Sequence, residues 1–120
     1  MEKLNQQEEE VMIAVWSVGK GFIKDFYNVM PGTKPHYNTF ASILKSLERK
    51  GYIKSNRSVH LIGYEPVVKE AIYKRKFMTN FVKKYFESSY MNMVAFFTKS
   101  KEISVDELKE VIKMIENPKN

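Results

Sequence analysis

The hydrophobic period of this chain changes at Gly51, and that change restricts the fold more than any other feature. Ahead of Gly51, apolar residues recur at the three-to-four spacing of helices buried on one side. Beyond it, YIKSN and VHLIGY are short runs rich in β-branched and aromatic residues, parted at Arg57-Ser58 and closed by Pro66, which reads as a hairpin. Three helices are predicted before it. Asn5 caps the first with Glu8 as its capping-box partner, and Val11, Met12, Val15 and Trp16 form an apolar stripe that stops at Gly19. GFIKDFYNVM supplies a shorter second helix that turns Phe22, Ile23, Phe26, Val29 and Met30 inward and breaks at Pro31-Gly32. Pro35 suits the first turn of a third, which runs to Lys50 and ends at Gly51. Three helices and a two-stranded hairpin follow the order of a winged helix-turn-helix, whose third helix enters the major groove of DNA while the hairpin flanks it. The expected class is mainly α, with a helical region after the wing.

The third helix, within YNTFASILKSLERKGY at 37–52, has two unlike faces. Phe40, Ile43, Leu44 and Leu47 make a buried one, whereas Asn38, Thr39, Ala41, Ser42 and Ser46 stand where Glu, Gln and Lys would suit a solvated helix better. A helix in a groove about 12 Å wide brings its backbone near the base edges, so bulky charged side chains on its leading face would hold it off. Short polar side chains let it in. Asn38 can pair with adenine, Thr39 and Ser42 can donate or accept, and the methyl groups of Thr39 and Ala41 can touch thymine. Asn38, Thr39 and Ser42 are therefore the candidate base-reading residues, although Asn38 and Thr39 equally suit the first turn of any helix. Lys45 and Arg49 lie further along, placed for phosphates. Lys34, His36, Tyr37, Arg57 and His60 complete the candidate phosphate and wing contacts.

Charge points to the same kind of partner. The net charge is +6, and between Lys20 and Tyr64 the cations Lys20, Lys24, Lys34, Lys45, Arg49, Lys50, Lys54 and Arg57 are set against only Asp25 and Glu48. With no cysteine, there is neither a disulfide framework nor a thiolate site. His36 and His60 are the only histidines and would need carboxylates to complete a metal site, so no metal or other cofactor is expected. The five glycines fit no phosphate-loop spacing and no nucleophile motif is present, which argues against an enzyme. MEKLNQQEEEVMIAVW is acidic before it is apolar, unlike a signal peptide, and no apolar run approaches the roughly 20 residues of a membrane span. A cytoplasmic location is expected.

Residues 1–67 are expected to form the DNA-binding domain and 68–120 a helical dimerisation domain. From Lys69 to Ser89, Tyr73, Phe77, Phe81 and Tyr85 recur every four positions, widened by Met78 and Val82 and surrounded by Lys74, Arg75, Lys76, Lys83 and Lys84. The short segment MNMVAFF, with Met93, Phe96 and Phe97, is almost wholly apolar. Ser104 opens a last helix with Glu107 as capping-box partner, and Val105, Leu108, Val111, Ile112 and Ile115 share an inward face. Together these helices make up only about 50 residues, a size at which a lone unit is usually marginal and pairing supplies the missing burial. Tyr73, Phe77, Phe81, Tyr85, Met93, Phe96, Phe97, Leu108, Val111, Ile112 and Ile115 are the candidate dimerisation residues. The alternative is that the same helices fold back on the winged helix within one chain. A dimer would hold two reading helices one duplex turn, about 34 Å, apart.

LNQQEEEVMIAVWSVG, with Leu4, Glu8, Val11-Met12 and Trp16, then YNTFASILKSLERKGYI and YEPVV, together resemble the penicillinase repressor family of bacterial transcription regulators. The likeness covers nearly the whole chain, and the core from Asn38-Thr39 to Lys50-Gly51-Tyr52 sits at the family's distance from Trp16 and from Tyr64-Glu65-Pro66. It implies a dimeric repressor that binds a palindromic operator and pairs through C-terminal helices, with Asn38, Thr39 and Ser42 on the reading helix. Where the family's wing commonly has Gly-Arg, this chain has Val59-His60, which leaves Arg57 to supply the wing's charge. Copper-responsive members carry a C-terminal cysteine pair, absent here. In β-lactam-responsive members a membrane-bound metalloprotease receptor triggers cutting at an Asn-Phe bond. Phe96-Phe97 aligns there, keeping the phenylalanine after the cut and lacking the asparagine. Because a fold does not fix a function, a winged helix serving only as a protein-interaction scaffold is the alternative.

Overall fold

The chain begins with a helix whose start is written in two residues. In the computed structural model, which describes residues 1–57 and 60–118, the Asn5 side chain accepts from the Glu8 amide at 2.8 Å while the Glu8 carboxylate accepts from the Asn5 amide at 3.0 Å. Two amides that a helix start leaves unpaired are thereby satisfied. This helix, α1 (Gln6–Val18), is followed by β1 (Gly21–Phe22), α2 (Ile23–Asn28), α3 (Tyr37–Arg49), β2 (Ile53–Arg57), β3 (Ile62–Pro66), α4 (Glu70–Phe86), α5 (Tyr90–Lys99) and α6 (Val105–Glu116). The mainly helical winged-helix class expected from the sequence is what forms. Ser58 and Val59, where the sequence puts the hairpin turn and the altered wing, lie outside the described residues. No helix among the described residues is long and apolar enough to cross a membrane.

Contacts divide the chain into two units, Met1–Tyr73 and Lys74 onward. In the first, α1 buries Val11, Met12, Ala14 and Val15 against Phe26 and Met30 of the α2 region, Phe40, Ile43, Leu44 and Leu47 of α3, and Tyr52, Ile53 and Tyr64 of the sheet. Each of these larger side chains contributes on the order of 2 kcal/mol by leaving water. At the end of α3, Gly51 takes φ +84. That left-handed residue lets the Gly51 amide donate to the Glu48 carbonyl and the Tyr52 amide to the Leu47 carbonyl, both at 3.0 Å, which stops the helix and sends the chain into β2.

The expected hairpin forms from β2 and β3, and among the described residues β1 adds a third strand to it, giving an antiparallel sheet in the order β1-β3-β2. Phe22 was expected inward on a helix. It lies instead in β1, opposite Gly63, with its ring 38% exposed, because its extended backbone pairs with β3 and its amide donates to the Asp25 carboxylate at 2.8 Å. Val29 is exposed as well, since α2 ends at Asn28 and the helical spacing that would carry it inward stops there. Pro35 also falls outside the first turn of α3. Its carbonyl accepts from the Tyr27 hydroxyl at 2.8 Å, and the helix starts after His36, whose Nδ1 accepts from the Asn38 amide at 3.3 Å.

Val68 and Tyr73, which lie beyond residue 67, pack in this first unit. The Trp16 indole N–H donates to the Val68 carbonyl at 2.9 Å, and the Tyr73 ring sits 5.5 Å from that of Trp16 and 6.0 Å from that of Tyr52. The Tyr73 hydroxyl donates to the Glu9 carboxylate. Burial, then this carboxylate, push the Tyr73 hydroxyl well above the ordinary tyrosine range. Tyr73 thus departs from the stripe it shares by spacing with Phe77, Phe81 and Tyr85.

In the second unit, Ser89 caps α5 by accepting from the Asn92 amide at 3.0 Å, and Ser104 with Glu107 forms the expected capping box of α6. Rings meet in sequence: Phe81 with Tyr85 at 5.0 Å, Phe86 with Phe96 at 5.7 Å, and Phe96 with Phe97 at 5.4 Å. The α6 face expected to point inward is not covered within one chain. Val105, Val111, Ile112 and Ile115 are exposed, Leu108 is half-buried, and Val82 alone among the described residues of this unit is buried.

Candidate nucleic-acid interface

Helical spacing assembles the site on α3. Asn38, Ser42, Lys45 and Arg49 fall at steps of four, three and four, so they line one side of the helix, and all four are exposed. Thr39 and Tyr37 are exposed beside them, whereas Ala41 and Ser46 are half-buried at the margins. The opposite side holds Phe40, Ile43, Leu44 and Leu47 in the core. The three candidate base-reading residues therefore share a solvent-facing flank. The Ser42 hydroxyl donates to the Asn38 carbonyl at 3.1 Å, which leaves its oxygen lone pairs to accept outward.

A buried carboxylate fixes this helix against α1. Glu8 Oε2 accepts from the Ser46 hydroxyl at 2.8 Å and Glu8 Oε1 from the Lys50 ammonium at 2.8 Å. Burial pushes the Glu8 carboxyl up, but the bonds from Lys50, the Asn5 amide and Ser46 outweigh it and hold it below its ordinary value. On the other flank, Glu48 Oε2 accepts from the Ser55 amide at 3.2 Å and ties α3 to β2. Lys50, counted from sequence among the basic residues of this region, is thus turned inward. Arg49 keeps its exposure while donating to the Ser46 hydroxyl oxygen at 3.3 Å.

The start of α3 is organised by aromatic contacts. The Tyr27 ring meets Tyr37 and Phe40 edge-on at 5.3 and 5.2 Å, and the Lys34 ammonium lies over it at 5.2 Å from the centroid. His36 uses Nδ1 to accept from the Asn38 amide, which leaves Nε2 as its remaining polar atom. Lys34, His36 and Tyr37 are all exposed, and so are Arg57 and His60 on the wing. Arg57 stands opposite Ile62 in the ladder, and the exposed Lys54 pairs with Glu65 at 3.3 Å, a contact worth little in water.

Of the candidate dimerisation residues, Phe77, Tyr85, Phe96, Val111, Ile112 and Ile115 are exposed, whereas Phe81, Met93, Phe97 and Leu108 are half-buried. Among the described residues, no group of His, Asp and Glu is placed to hold a metal ion. Two contributors escaped the sequence reading. Tyr27 carries no local signal beyond its place ahead of Pro31-Gly32, and the second role of Glu8 was masked by its complete explanation as a capping-box partner.

The family model described as Penicillinase repressor matches residues 4–117, nearly the whole chain. No curated protein matches it. Among solved structures, the chain is similar to TrmBL2, an archaeal chromatin protein, at 23% identity and a TM-score of 0.48. That match takes in 98% of this chain and 42% of the other, so this chain spans less than half of that protein's length.

Proposed function

This chain belongs to the penicillinase repressor family of transcriptional regulators, and on that premise we propose that it is a homodimeric repressor that reads a palindromic operator in duplex DNA. The division of α3 carries the reading: its core side is wholly buried, and its exposed side presents Asn38, Thr39 and Ser42 with Lys45 and Arg49 behind them. In the proposed complex those three side chains meet base edges. Lys34, His36, Tyr37, Lys45 and Arg49 meet phosphates, and Arg57 and His60 meet the flanking backbone from the wing. The basic balance of residues 20–64 supports this over a scaffold role.

Pairing through the second unit would cover the exposed Phe77, Phe96, Val111, Ile112 and Ile115 and join two half-site readers, so that the second half-site binds as an intramolecular event. Repression then depends on helices that touch no base. Release by cutting at Phe96-Phe97, by a membrane-bound metalloprotease acting on a cytoplasmic repressor, is a further part of the proposal. Because both residues lie within α5, that bond becomes a substrate only when the helix unwinds locally.

A fluorescence titration with duplex from the protein's own upstream region, set beside random duplex at two salt concentrations, tests the reading. A repressor forms a preferred complex whose affinity falls steeply with salt, by a log–log slope of about 0.9 per phosphate contacted. Equal and weak binding to every duplex would favour the scaffold.

A further inference from the structure

We propose that Tyr27 is a positioning residue for DNA reading, one that clips the connection ahead of α3 and thereby sets both the helix's first turn and the ammonium of Lys34. The proposal rests on the DNA-binding reading above. The connection from Val29 to His36 carries Pro31, Gly32 at φ +66 and Pro35. It is longer than the turn of a tight helix-turn-helix, and a longer loop has more conformers to lose when a ligand requires one of them. Something must hold its downstream end.

Tyr27 reaches that end from the last turn of α2. Its hydroxyl donates at 2.8 Å to the carbonyl of Pro35, eight positions on. The next residue, His36, is extended at φ −56 and ψ 143, and its ring accepts the Asn38 amide. Pro35 has no N–H and a fixed φ, so displacing its carbonyl displaces the His36 cap, and Asn38 heads the exposed flank of α3. The same ring braces Tyr37 and Phe40 on its edges. Its face holds the Lys34 ammonium, which also donates to the Asn28 carbonyl at 3.5 Å. One side chain thus sets a base-reading residue through its hydroxyl and a phosphate-binding one through its ring. Sites of this kind lose function when their supports allow shifts of about an ångström.

Two variants separate these roles, measured by titration with upstream and random duplex well below each protein's melting temperature. Tyr27→Phe removes only the hydroxyl. Operator affinity should fall about fivefold, the equivalent of one net hydrogen bond of about 1 kcal/mol, while random-duplex affinity and the salt slope stay as in the wild type. Tyr27→Leu removes the ring as well, so random-duplex affinity should also fall and the salt slope should shrink by about one phosphate. If Tyr27→Phe lowers the melting temperature but keeps the wild-type preference for operator, Tyr27 is a fold residue and the proposal is overturned, whatever Tyr27→Leu does. A wild-type protein with no operator preference would instead overturn the DNA-reading function itself, and this inference with it.

Discussion

Glu8 and Lys50, forty-two positions apart, meet at 2.8 Å, with the carboxylate 5% and the lysine side chain 19% exposed. The pair joins the first turn of α1 to the end of α3, and Ser46 completes it from the same helix. A carboxylate removed from water is tolerated only when its lone pairs are filled, and here the Asn5 amide, the Ser46 hydroxyl and the Lys50 ammonium fill them.

Replacing that carboxylate with its amide should be costly. Glu8→Gln keeps the shape but cannot accept from both Lys50 and Ser46 through charged oxygens, and it leaves the ammonium half-buried without its counter-charge. A loss of about 2 kcal/mol in urea unfolding is expected, in the range for hydrogen bonds to charged groups. Stability equal to wild type would mean that α1 and α3 are held by apolar contact alone.

The same group predicts an acid response. The folded Glu8 carboxyl titrates below its ordinary value of 4.5, so the unfolded chain takes up its proton first as pH falls. Its contribution is complete above that value and is lost as the pH drops through the lower folded one. Thermal melts between pH 3 and 7 should show this acid limb, and Glu8→Gln should flatten it.

Such long-range links were the illegible part of the sequence. The Asn5–Glu8 and Ser104–Glu107 boxes were legible because each closes within three residues. The buried face of α3 was legible because helical period alone defines it. The strand at Gly21–Phe22 was not, because two residues become a strand only by pairing with Gly63 and Tyr64, and a local reading takes Phe22 for the start of a helix. The cap of α3 was misplaced for a related reason. A histidine nitrogen does the work usually given to Ser, Thr, Asp or Asn, and Pro35 offered a more familiar start. Within the site, the exposure of Asn38, Thr39 and Ser42 follows from helical period, whereas the half-burial of Ala41 and Ser46, the bond from Ser46 to Glu8, the inward turn of Lys50 and the support from Tyr27 depend on tertiary neighbours.

Substitutions on the exposed flank of α3 should divide by role. Asn38→Ala and Thr39→Ala remove groups proposed to meet base edges, each worth about 1–3 kcal/mol of discrimination, and should lower operator preference more than total DNA affinity. Lys45→Ala should weaken operator and random duplex alike and reduce the salt slope by about one contact. Fluorescence titrations of the three variants on both duplexes decide the matter. Identical behaviour would show that this flank does not face the bases.

Tyr73 makes the length of the first unit measurable. A fragment ending at Lys74 keeps its ring against Trp16 and Tyr52, whereas one ending at Val68 lacks it. The shorter fragment should be less stable by about 2 kcal/mol, from the lost aromatic burial. Urea unfolding followed by the fluorescence of Trp16, the chain's one tryptophan, compares the two directly. Equal stability would exclude Tyr73 from the first unit's energetics.

The exposed face of α6 carries the test of pairing. Ile112 is 52% and Ile115 73% exposed, on a helix whose other side already presents Glu110 and Lys113 to water. In a monomer, Ile112→Asp and Ile115→Asp together would change little, since both positions are solvated. In a homodimer that covers them, two carboxylates per protomer would enter an apolar contact without partners, at several kcal/mol. Sedimentation should therefore show the double variant as a monomer with an unchanged circular dichroism spectrum. Its operator affinity should fall by about a hundredfold, because each half-site is then bound without the help of the other. A wild type that sediments as a monomer at the concentration where it binds operator would remove the second unit from the mechanism and leave α3 reading a single half-site.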